Sequence, residues 1–495
     1  MLSRRSAVLS ALAACVAAPH RIWAQPAASE DAGPVTVLRV ERRSIEVNKK
    51  PASVLGIRQA DGTPGLFTEV GKQFRVHLDN ALDVPTLIHW HGLMPPWQQD
   101  GVSGISAPPI PPGASADYDF PLSFGGTYWM HSHQGLQEQE LLAAPLIIRD
   151  GRDLPDQQEV IIMLADFSFT PPEEIFAGLR RQSAKPDMMP AKASADTIGG
   201  MEQPPANGNY TKPGTAAMPV GGGPAPPDLN DVKYDAFLAN NRTLADPEVI
   251  QVEPGSTVLL RIINSSSMSA YHLDLGALRG KLVAVDGVRI HPVAGRRFPI
   301  TVAQRLDIRI RIPRAPAAHP VLAILEGERR QTGVILLAGH APVTRVPETA
   351  PMPSAALTLD LERRLHAAEP LGPRKADRIH QVELTGKMAG YIWSINGVVW
   401  NKDVPPLPVS KGERVELVLN NKTLMSHPMH LHGHQIQVVE INGRRLSGAV
   451  RDTILVPPGK RVVIAFDANN PGLWAFHCHL LYHQDAGMFT TLRYI

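Results

Sequence analysis

Short stretches of the chain alternate apolar and polar residues with a period of two, and glycine, proline or asparagine stands between them. The pattern is clear over residues 73–78, 257–262 and 414–419. Successive side chains of a strand point to opposite faces, so this alternation predicts strands that bury one face. Short strands between turn signals are typical of Greek-key sandwiches or barrels. The chain is therefore predicted to be all-β.

Two regions of the chain repeat the same spacings. A glycine stands eighteen residues before a histidine at four places, which form two matching sets: Gly71–His89 with Gly113–His131, and Gly412–His430 with Gly459–His477. Matched spacings that lie far apart in sequence indicate two copies of one domain.

A middle copy begins near residues 252–265, and it carries His272-Leu273-Asp274 where the others carry a histidine pair. Its second pair of positions falls near Leu322–Ile324, and apolar residues cannot bind a metal. This copy is predicted to be structural, with His272 as a lone, partly buried histidine that is not a metal ligand. The length also suits about three domains, which are placed at residues 30–155, 156–345 and 346–495.

Residues 170–232 break the alternation and are rich in proline, glycine, alanine and methionine. We expect this segment to be a flexible insertion at the start of the second domain. The alternative is a thioether-rich patch that recruits Cu(I), because soft ligands favour that ion. Its methionines would be Met188, Met189, Met201 and Met218.

The N-terminus has the form of an export signal. Ser3-Arg4-Arg5-Ser6 precedes an apolar run over residues 7–18, which predicts a twin-arginine signal peptide over residues 1–24 and a periplasmic protein. Cys15 offers a lipoprotein cleavage site as an alternative. The apolar run is shorter than the roughly 20 residues of a transmembrane helix.

The net charge of the chain gives no indication of a nucleic-acid partner. The whole chain has a net charge of +2, and removal of the signal peptide deletes three arginines and no acids, which brings it to −1. No overall basic character remains, so nothing indicates nucleic acid. Cys478 is the single cysteine outside the signal peptide, so no intramolecular disulfide can form.

Residues 477–488 carry the most informative chemistry. Cys478, His483 and Met488 supply a thiolate, an imidazole and a thioether, which suit a blue copper site with a weak axial methionine. His477 and His479 flank the cysteine and point to the opposite face of a strand. Cys478 can therefore bind one metal while its neighbours bind others, and the backbone joins the two sites as an electron relay requires.

Three more segments concentrate histidine: His89-Trp90-His91, His131-Ser132-His133 and His427-Pro428-Met429-His430-Leu431-His432. Together with residues 477–488 they hold ten of the nineteen histidines. One His-x-His pair is weak evidence of a metal site, but four pairs in one chain, one of them split by cysteine, are strong evidence. His77 and His434 lie outside this pattern and are expected to bind no metal.

By these motifs the chain resembles the three-domain multicopper oxidases, which include laccases, bacterial cuprous oxidases and copper-resistance oxidases. The resemblance covers essentially the whole mature chain. It implies three consecutive cupredoxin-like Greek-key domains and four copper ions, with ligands in the first and third domains. The implied ligands are His427, Cys478, His483 and axial Met488 for type 1 copper, His89 and His430 for type 2, and His91, His131, His133, His432, His477 and His479 for the type 3 pair.

The resemblance also implies a reaction. A small donor, such as a phenol, an aromatic amine or Cu(I), would be oxidised one electron at a time near His483, and the trinuclear cluster would reduce dioxygen to water. Bacterial relatives usually carry a glutamate after the second type 1 histidine, but Gln484 occupies that position and cannot titrate. Asp100 matches the family's other relay acid and is the predicted proton relay; a turn aspartate is the alternative. Asp485 is a weaker candidate for orienting the donor.

Other functions fit the motifs less well. A periplasmic copper-sequestering protein is the alternative, although storage needs no thiolate path between sites. A copper-free scaffold used in cell division would have lost these ligands, and a two-domain nitrite reductase lacks the third domain. A monomer is expected.

Overall fold

The computed structural model describes residues 34–151, 157–182 and 229–495. The predicted signal peptide, Cys15 and the four methionines of the insertion lie outside these residues. Val35–Ile495 forms one compact unit. Among the described residues no helix combines the length and the apolar character needed to cross a bilayer.

The first eight strands form two four-stranded sheets, which we call the first sandwich. The strands are β1 Thr36–Val47, β2 Lys50–Arg58, β3 Leu66–Glu69, β4 Gln73–Asn80, β5 Ile88–His91, β6 Ser115–Pro121, β7 Gly126–Ser132 and β8 Ala143–Arg149. The sheet orders are β2-β1-β4-β6 and β3-β8-β7-β5. In β4 the predicted alternation holds, because Phe74, Val76 and Leu78 are buried between more exposed neighbours.

The next eleven strands form the second sandwich. They are β9 Gln158–Phe167, β10 Ala236–Ala239, β11 Val249–Val252, β12 Thr257–Asn264, β13 Tyr271–Asp274, β14 Gly280–Val285, β15 Val288–Gly295, β16 Arg297–Ile300, β17 Arg305–Arg311, β18 Ala317–Leu325 and β19 Gln331–Ala338. One sheet has the order β10-β9-β12-β17-β14-β15, and the other has the order β11-β19-β18-β13-β16.

The last twelve strands form the third sandwich. They are β20 Arg378–Lys387, β21 Ile392–Ile395, β22 Leu407–Val409, β23 Arg414–Asn421, β24 His427–Leu431, β25 Ile436–Ile441, β26 Arg444–Arg445, β27 Val450–Arg451, β28 Thr453–Val456, β29 Arg461–Asp467, β30 Leu473–Cys478 and β31 Phe489–Tyr494. One sheet has the order β21-β20-β23-β29-β25-β26, with β27 paired to β25, and the other is β22-β31-β30-β24-β28. The prediction of an all-β chain is confirmed.

The three sandwiches share one cross-strand register. The paired positions are His89 with His131 in the first sandwich, His272 with Ile324 in the second and His430 with His477 in the third. The position that holds two histidines in the outer sandwiches therefore holds one histidine and one isoleucine in the middle sandwich.

Within residues 34–151, 157–182 and 229–495, helices are few and short. They are α1 Pro172–Gln182, α2 Leu481–Asp485 and 3-10 turns at Trp97–Gln99, Gln137–Glu140 and Glu362–Arg364. Acidic residues in the first turn of α1 and arginines in its last turn complement the helix dipole. The sequence predicts a flexible insertion over residues 170–232, but residues 172–182 form α1 and bury Phe176 and Leu179. Residues 183–228 lie outside the described part of the chain.

Candidate metal centres

Two histidines and the cysteine predicted for type 1 copper converge in the third sandwich. Nδ1 of His427 lies 3.6 Å from Sγ of Cys478, Nδ1 of His483 lies 3.9 Å from it, and the two nitrogens are 3.3 Å apart. The peptide N–H of Cys478 donates to the carbonyl of Met488, which brings that buried methionine beside the cysteine. Strand β30 and helix α2 supply the cysteine and His483, and β24 supplies His427.

The opposite ring nitrogens of these two histidines are held from outside. Nε2 of His427 contacts the Thr423 hydroxyl at 2.7 Å, and Nε2 of His483 contacts Oδ2 of Asp231 at 2.9 Å. Trp393 stacks on His483 with ring centroids 3.9 Å apart. Both rings are therefore fixed with Nδ1 facing the cysteine sulfur.

Eight histidines, four from the first sandwich and four from the third, form a second cluster. Nε2 of His477 lies 2.9 Å from Nε2 of His432 and 3.4 Å from Nε2 of His133. Nδ1 of His91 lies 3.4 Å from Nε2 of His131. Seven of the eight are at most 1% exposed: His89, His91, His131, His430, His432, His477 and His479.

Three carboxylates bind the outer sides of these rings. Asp100 accepts from Nδ1 of His432 at 2.8 Å. Glu138 lies 2.8 Å from Nδ1 of His131. Asp452 lies 3.0 Å from Nε2 of His91. Carboxylates in this position fix the tautomer and orientation of a metal-binding imidazole.

Backbone carbonyls hold three more rings through Nδ1. The pairs are His89 with Asp100 at 2.8 Å, His430 with Asp452 at 2.9 Å and His477 with Cys478 at 3.0 Å. With Nδ1 held, Nε2 of each ring faces the interior of the cluster.

The inward nitrogens fit metal binding. Nε2 of His89, His430 and His479 is buried and has no hydrogen-bond partner. Buried polar atoms normally have partners, so these atoms call for an explanation. A bound cation supplies one, and imidazole together with thiolate and thioether is a donor set that suits copper.

Electrostatics also favour neutral, metal-binding imidazoles. Burial is the main cause that lowers the pKa of seven cluster histidines, and it lowers that of His477 to about 3. The other six are His91, His131, His133, His430, His432 and His479. Burial likewise raises the pKa of the Cys478 thiol. A bound cation would favour the thiolate, because a coordinating thiol loses its proton.

Cys478 connects the two centres. Its sulfur faces His427 and His483, while its neighbours His477 and His479 belong to the eight-histidine cluster. The two centres are therefore joined by the peptide backbone of three consecutive residues.

The edge of His483 is closed from the solvent. Its Nε2 contacts Asp231, which also accepts a hydrogen bond from the Tyr391 hydroxyl at 2.5 Å. Phe176 of α1 stacks on Tyr482 with centroids 5.8 Å apart, and His483 is 0% exposed. Asp231 is therefore the carboxylate bound to His483.

A small cavity of about 20 Å³ lies on the other side of Asp231. Its walls include the side chains of Asp231, Met268, Met425 and Glu326. Oδ1 of Asp231 is buried and has no hydrogen-bond partner. The volume suits one water molecule or one ion, since a water needs about 10–15 Å³.

Several site residues could not be found from the sequence. Asp231 falls in the stretch taken as a flexible insertion, and Asp452 and Arg305 have no metal-binding spacing. Glu138 stands five residues after His133 in a segment rich in glutamine and glutamate, which is a weak signal. His434 offers no ring nitrogen to a metal in the cluster, because Nδ1 contacts the His432 carbonyl and Nε2 contacts the Tyr494 hydroxyl. His272 binds the Ala355 carbonyl, as expected of a residue outside the metal sites.

Comparisons with known proteins agree with this geometry. Three family models described as multicopper oxidase match residues 39–153, 158–335 and 374–494. The multicopper oxidase MmcO of Mycobacterium tuberculosis is 31% identical, with 87% of this chain and 81% of the relative covered. Copper resistance protein A of Escherichia coli is 27% identical, with 99% of each chain covered.

Solved structures share the fold. A multicopper oxidase from Pseudomonas thermotolerans superposes with a TM-score of 0.68 at 21% identity, covering 93% of this chain and 98% of the other. Fet3p, a multicopper oxidase that functions in iron import, superposes with a TM-score of 0.73 at 19% identity, covering 92% and 90%. The likeness extends over all three sandwiches, which are cupredoxin-like.

Proposed function

The chain belongs to the multicopper oxidase family and is a copper-dependent oxidase, and from that premise we propose that it oxidises Cu(I) and reduces dioxygen to water. The observation that carries the oxidase reaction is the position of Cys478, whose sulfur belongs to one centre and whose neighbours belong to the other. A protein that only stores copper needs no such connection.

The proposal assigns four coppers to the two centres. His427, Cys478, His483 and Met488 would hold type 1 copper; His89 and His430 would hold type 2; and His91, His131, His133, His432, His477 and His479 would hold the type 3 pair. Bound copper would supply one-electron transfer at the first centre and four-electron reduction of dioxygen at the second.

The remaining residues act on the ligands and on protons. Trp393 and the Thr423 hydroxyl keep the two type 1 histidines from turning. Asp100 is the proposed proton-relay acid, and its support is its contact with His432 together with the absence of an acid at Gln484. Protons are needed because each dioxygen takes up four of them with its four electrons.

The donor is proposed from the surroundings of His483. A thioether prefers Cu(I), and an unpaired carboxylate oxygen would balance the charge of the ion. Met268, Met425 and Asp231 bring these groups together beside a cavity too small for an aromatic ring. Four Cu(I) ions would become four Cu(II) ions for each dioxygen that becomes two waters.

Asp231 also offers the electron a short path. One oxygen of its carboxylate contacts Nε2 of His483, the other is buried without a hydrogen-bond partner, and the residue lines the cavity. An ion bound there would be separated from the histidine by one carboxylate group. A periplasmic location, twin-arginine export and a monomeric state complete the proposal and rest on the sequence.

The test is steady-state oxygen uptake by the copper-loaded mature protein with Cu(I) and with a dimethoxyphenol as donors. Faster turnover with Cu(I), and phenol oxidation that requires added Cu(II), would support the proposal. Direct phenol turnover would make the protein a laccase. A blue protein that consumes no oxygen with either donor would favour copper sequestration.

A matched pair of variants tests the cavity. Met425→Leu removes the buried thioether and keeps the volume of the side chain, and Met352→Leu makes the same change at a residue that is 75% exposed. The first variant should raise KM for Cu(I), and the second should not. Equal kinetics in both variants would exclude Met425 as a Cu(I) ligand.

A further inference from the structure

We infer that Arg305, in the copper-free second sandwich, is a positioning residue for the eight-histidine cluster. Its guanidinium holds the carboxylate of Asp452, and that carboxylate holds the ring of His91 through Nε2. Nδ1 of His91 then faces the cluster. The inference rests on the proposed function, because it takes His91 as a copper ligand.

Arg305 forms a bidentate salt bridge with Asp452. Nη1 donates to Oδ1 at 2.8 Å, and Nη2 donates to Oδ2 at 2.5 Å. Oδ1 is also the oxygen that lies 3.0 Å from Nε2 of His91. A planar guanidinium that engages both oxygens fixes the carboxylate plane, so it also fixes the direction from which Asp452 meets His91.

The arginine itself is held by two sandwiches. Nε donates to the Thr127 carbonyl of β7 at 3.1 Å, and Nη1 donates to the Ala303 carbonyl at 3.0 Å. The peptide N–H of Arg305 donates to Asp286 at 2.9 Å, and Asp286 also binds Arg451 beside Asp452. Arg305 therefore joins backbone of the first sandwich, its own sandwich and the third sandwich, and it is 0% exposed.

The glycine that follows His91 leaves room for this contact. A Cβ at Gly92 would lie 2.6 Å from Nη2 of Arg305 and 2.7 Å from Oδ2 of Asp452. Gly92 also has a φ of +89°, which disfavours other residues. A side chain at this position would force the guanidinium and the carboxylate apart.

His91 is held through a different ring nitrogen from the other supported rings. Five cluster histidines are held through Nδ1: His89, His131, His430, His432 and His477. Among the described cluster histidines, His91 alone is held through Nε2. The proton of His91 therefore lies on Nε2, shared with Asp452, which leaves Nδ1 free to bind a metal. Asp452 selects this tautomer, and Arg305 keeps Asp452 in place.

The test compares two arginine variants of the copper-loaded full chain. Arg305→Lys keeps the charge but cannot bind both oxygens of Asp452. Arg261→Lys is the control, because Arg261 is 2% exposed and binds Glu159 and Asp307 in the same sandwich. Copper per chain, the blue band of type 1 copper, the near-ultraviolet band of the type 3 pair and the electron paramagnetic resonance of type 2 copper are measured after dialysis against a chelator.

Arg305→Lys should keep the blue band and lose copper from the eight-histidine cluster, with retention weaker by about 10- to 100-fold. The Arg261→Lys control should keep both sets of signals. Equal copper retention in the two variants, or equal loss, would overturn the inference. A parent protein that itself lacks the near-ultraviolet band would instead refute the proposed function.

A second variant covers the case in which Arg305→Lys does not fold. The double variant Arg305→Gln with Asp452→Asn removes both charges of the buried pair together, so neither of the two charges is left without its partner. It should also keep the blue band and lose copper from the cluster. Full copper retention in the double variant would overturn the inference.

Discussion

Asp100 in the first sandwich accepts a hydrogen bond at 2.8 Å from His432, which lies 332 residues further along the chain in the third sandwich. The backbone carbonyl of the same residue lies 2.8 Å from Nδ1 of His89. One residue thus orients a histidine from each half of the cluster, and the cluster can form only where the two sandwiches meet.

Asp100→Asn should slow oxygen uptake while the blue band of type 1 copper stays unchanged. The amide keeps the size of the side chain but removes the charge that holds His432 and, in our proposal, relays protons. Uptake is measured between about pH 5 and 8. Asp117→Asn, at a side chain that is 71% exposed, is the control. If Asp100→Asn leaves the rate unchanged over this range, Asp100 is not the relay.

Cys478→Ser should abolish both the blue band and oxygen uptake with every donor. A hydroxyl is not a soft ligand, so type 1 copper would lose its thiolate. The near-ultraviolet band of the type 3 pair should remain, because the neighbouring histidines are unchanged. His272→Gln, in the second sandwich, which we predict to bind no copper, should leave copper content and rate unaltered. Persisting oxygen uptake in Cys478→Ser would contradict the proposed electron path.

Asp231→Asn should lower kcat/KM for Cu(I) by about 10- to 100-fold, since a hydrogen bond to a charged group contributes about 1.5–3 kcal/mol. The carboxylate contacts His483 at 2.9 Å, its other oxygen has no hydrogen-bond partner, and the residue lines the cavity. Asp485→Asn, at the carboxylate predicted from the sequence, should have the smaller effect. The reverse order would restore Asp485 as the residue that orients the donor.

Phe176→Ala should uncover the type 1 centre. Loss of this buried ring should lower the free energy of unfolding by about 3–5 kcal/mol, and it should raise phenol turnover relative to Cu(I) turnover. Phe169→Ala, at a residue that is 43% exposed, should change neither quantity much. Unchanged donor preference in a folded Phe176→Ala protein would mean that α1 does not restrict access.

The stability of the protein should depend on Glu326. Burial raises the pKa of Glu326 to about 7 from its ordinary value of 4.5. The folded chain therefore keeps a proton that the unfolded chain releases, so this group destabilises the fold as pH rises from 4.5 to about 7 and by a constant amount above that. The size of the effect is about 3 kcal/mol.

Glu326→Gln should remove this part of the pH dependence, because the amide cannot titrate and still accepts from the Leu357 peptide N–H. Urea unfolding of the variant and of Glu328→Gln across this pH range provides the measurement. An identical slope for the parent and Glu326→Gln would show that Glu326 does not ionise in this window.

Local patterns predicted the strands and many of the histidines that meet in the structure. The alternation over residues 73–78 corresponds to the alternation of buried and exposed side chains in β4. The spacing between Gly71 and His89 recurs between Gly412 and His430 because the first and third sandwiches have the same arrangement of strands. The structure of the insertion was harder to predict from the sequence. Eleven of its residues form α1, and Phe176 of this helix stacks on Tyr482, which lies in a distant part of the chain.

The sequence by itself determined the donor types and their grouping: a cysteine between two histidines on one strand must face a different centre from its neighbours, because strand geometry is local. Only the tertiary structure decided what holds those donors. Asp452 lies 361 residues from His91, and Asp231 lies 252 residues from His483. A hydrogen bond depends on distance and direction in space, and residues brought together by folding carry no common spacing along the chain.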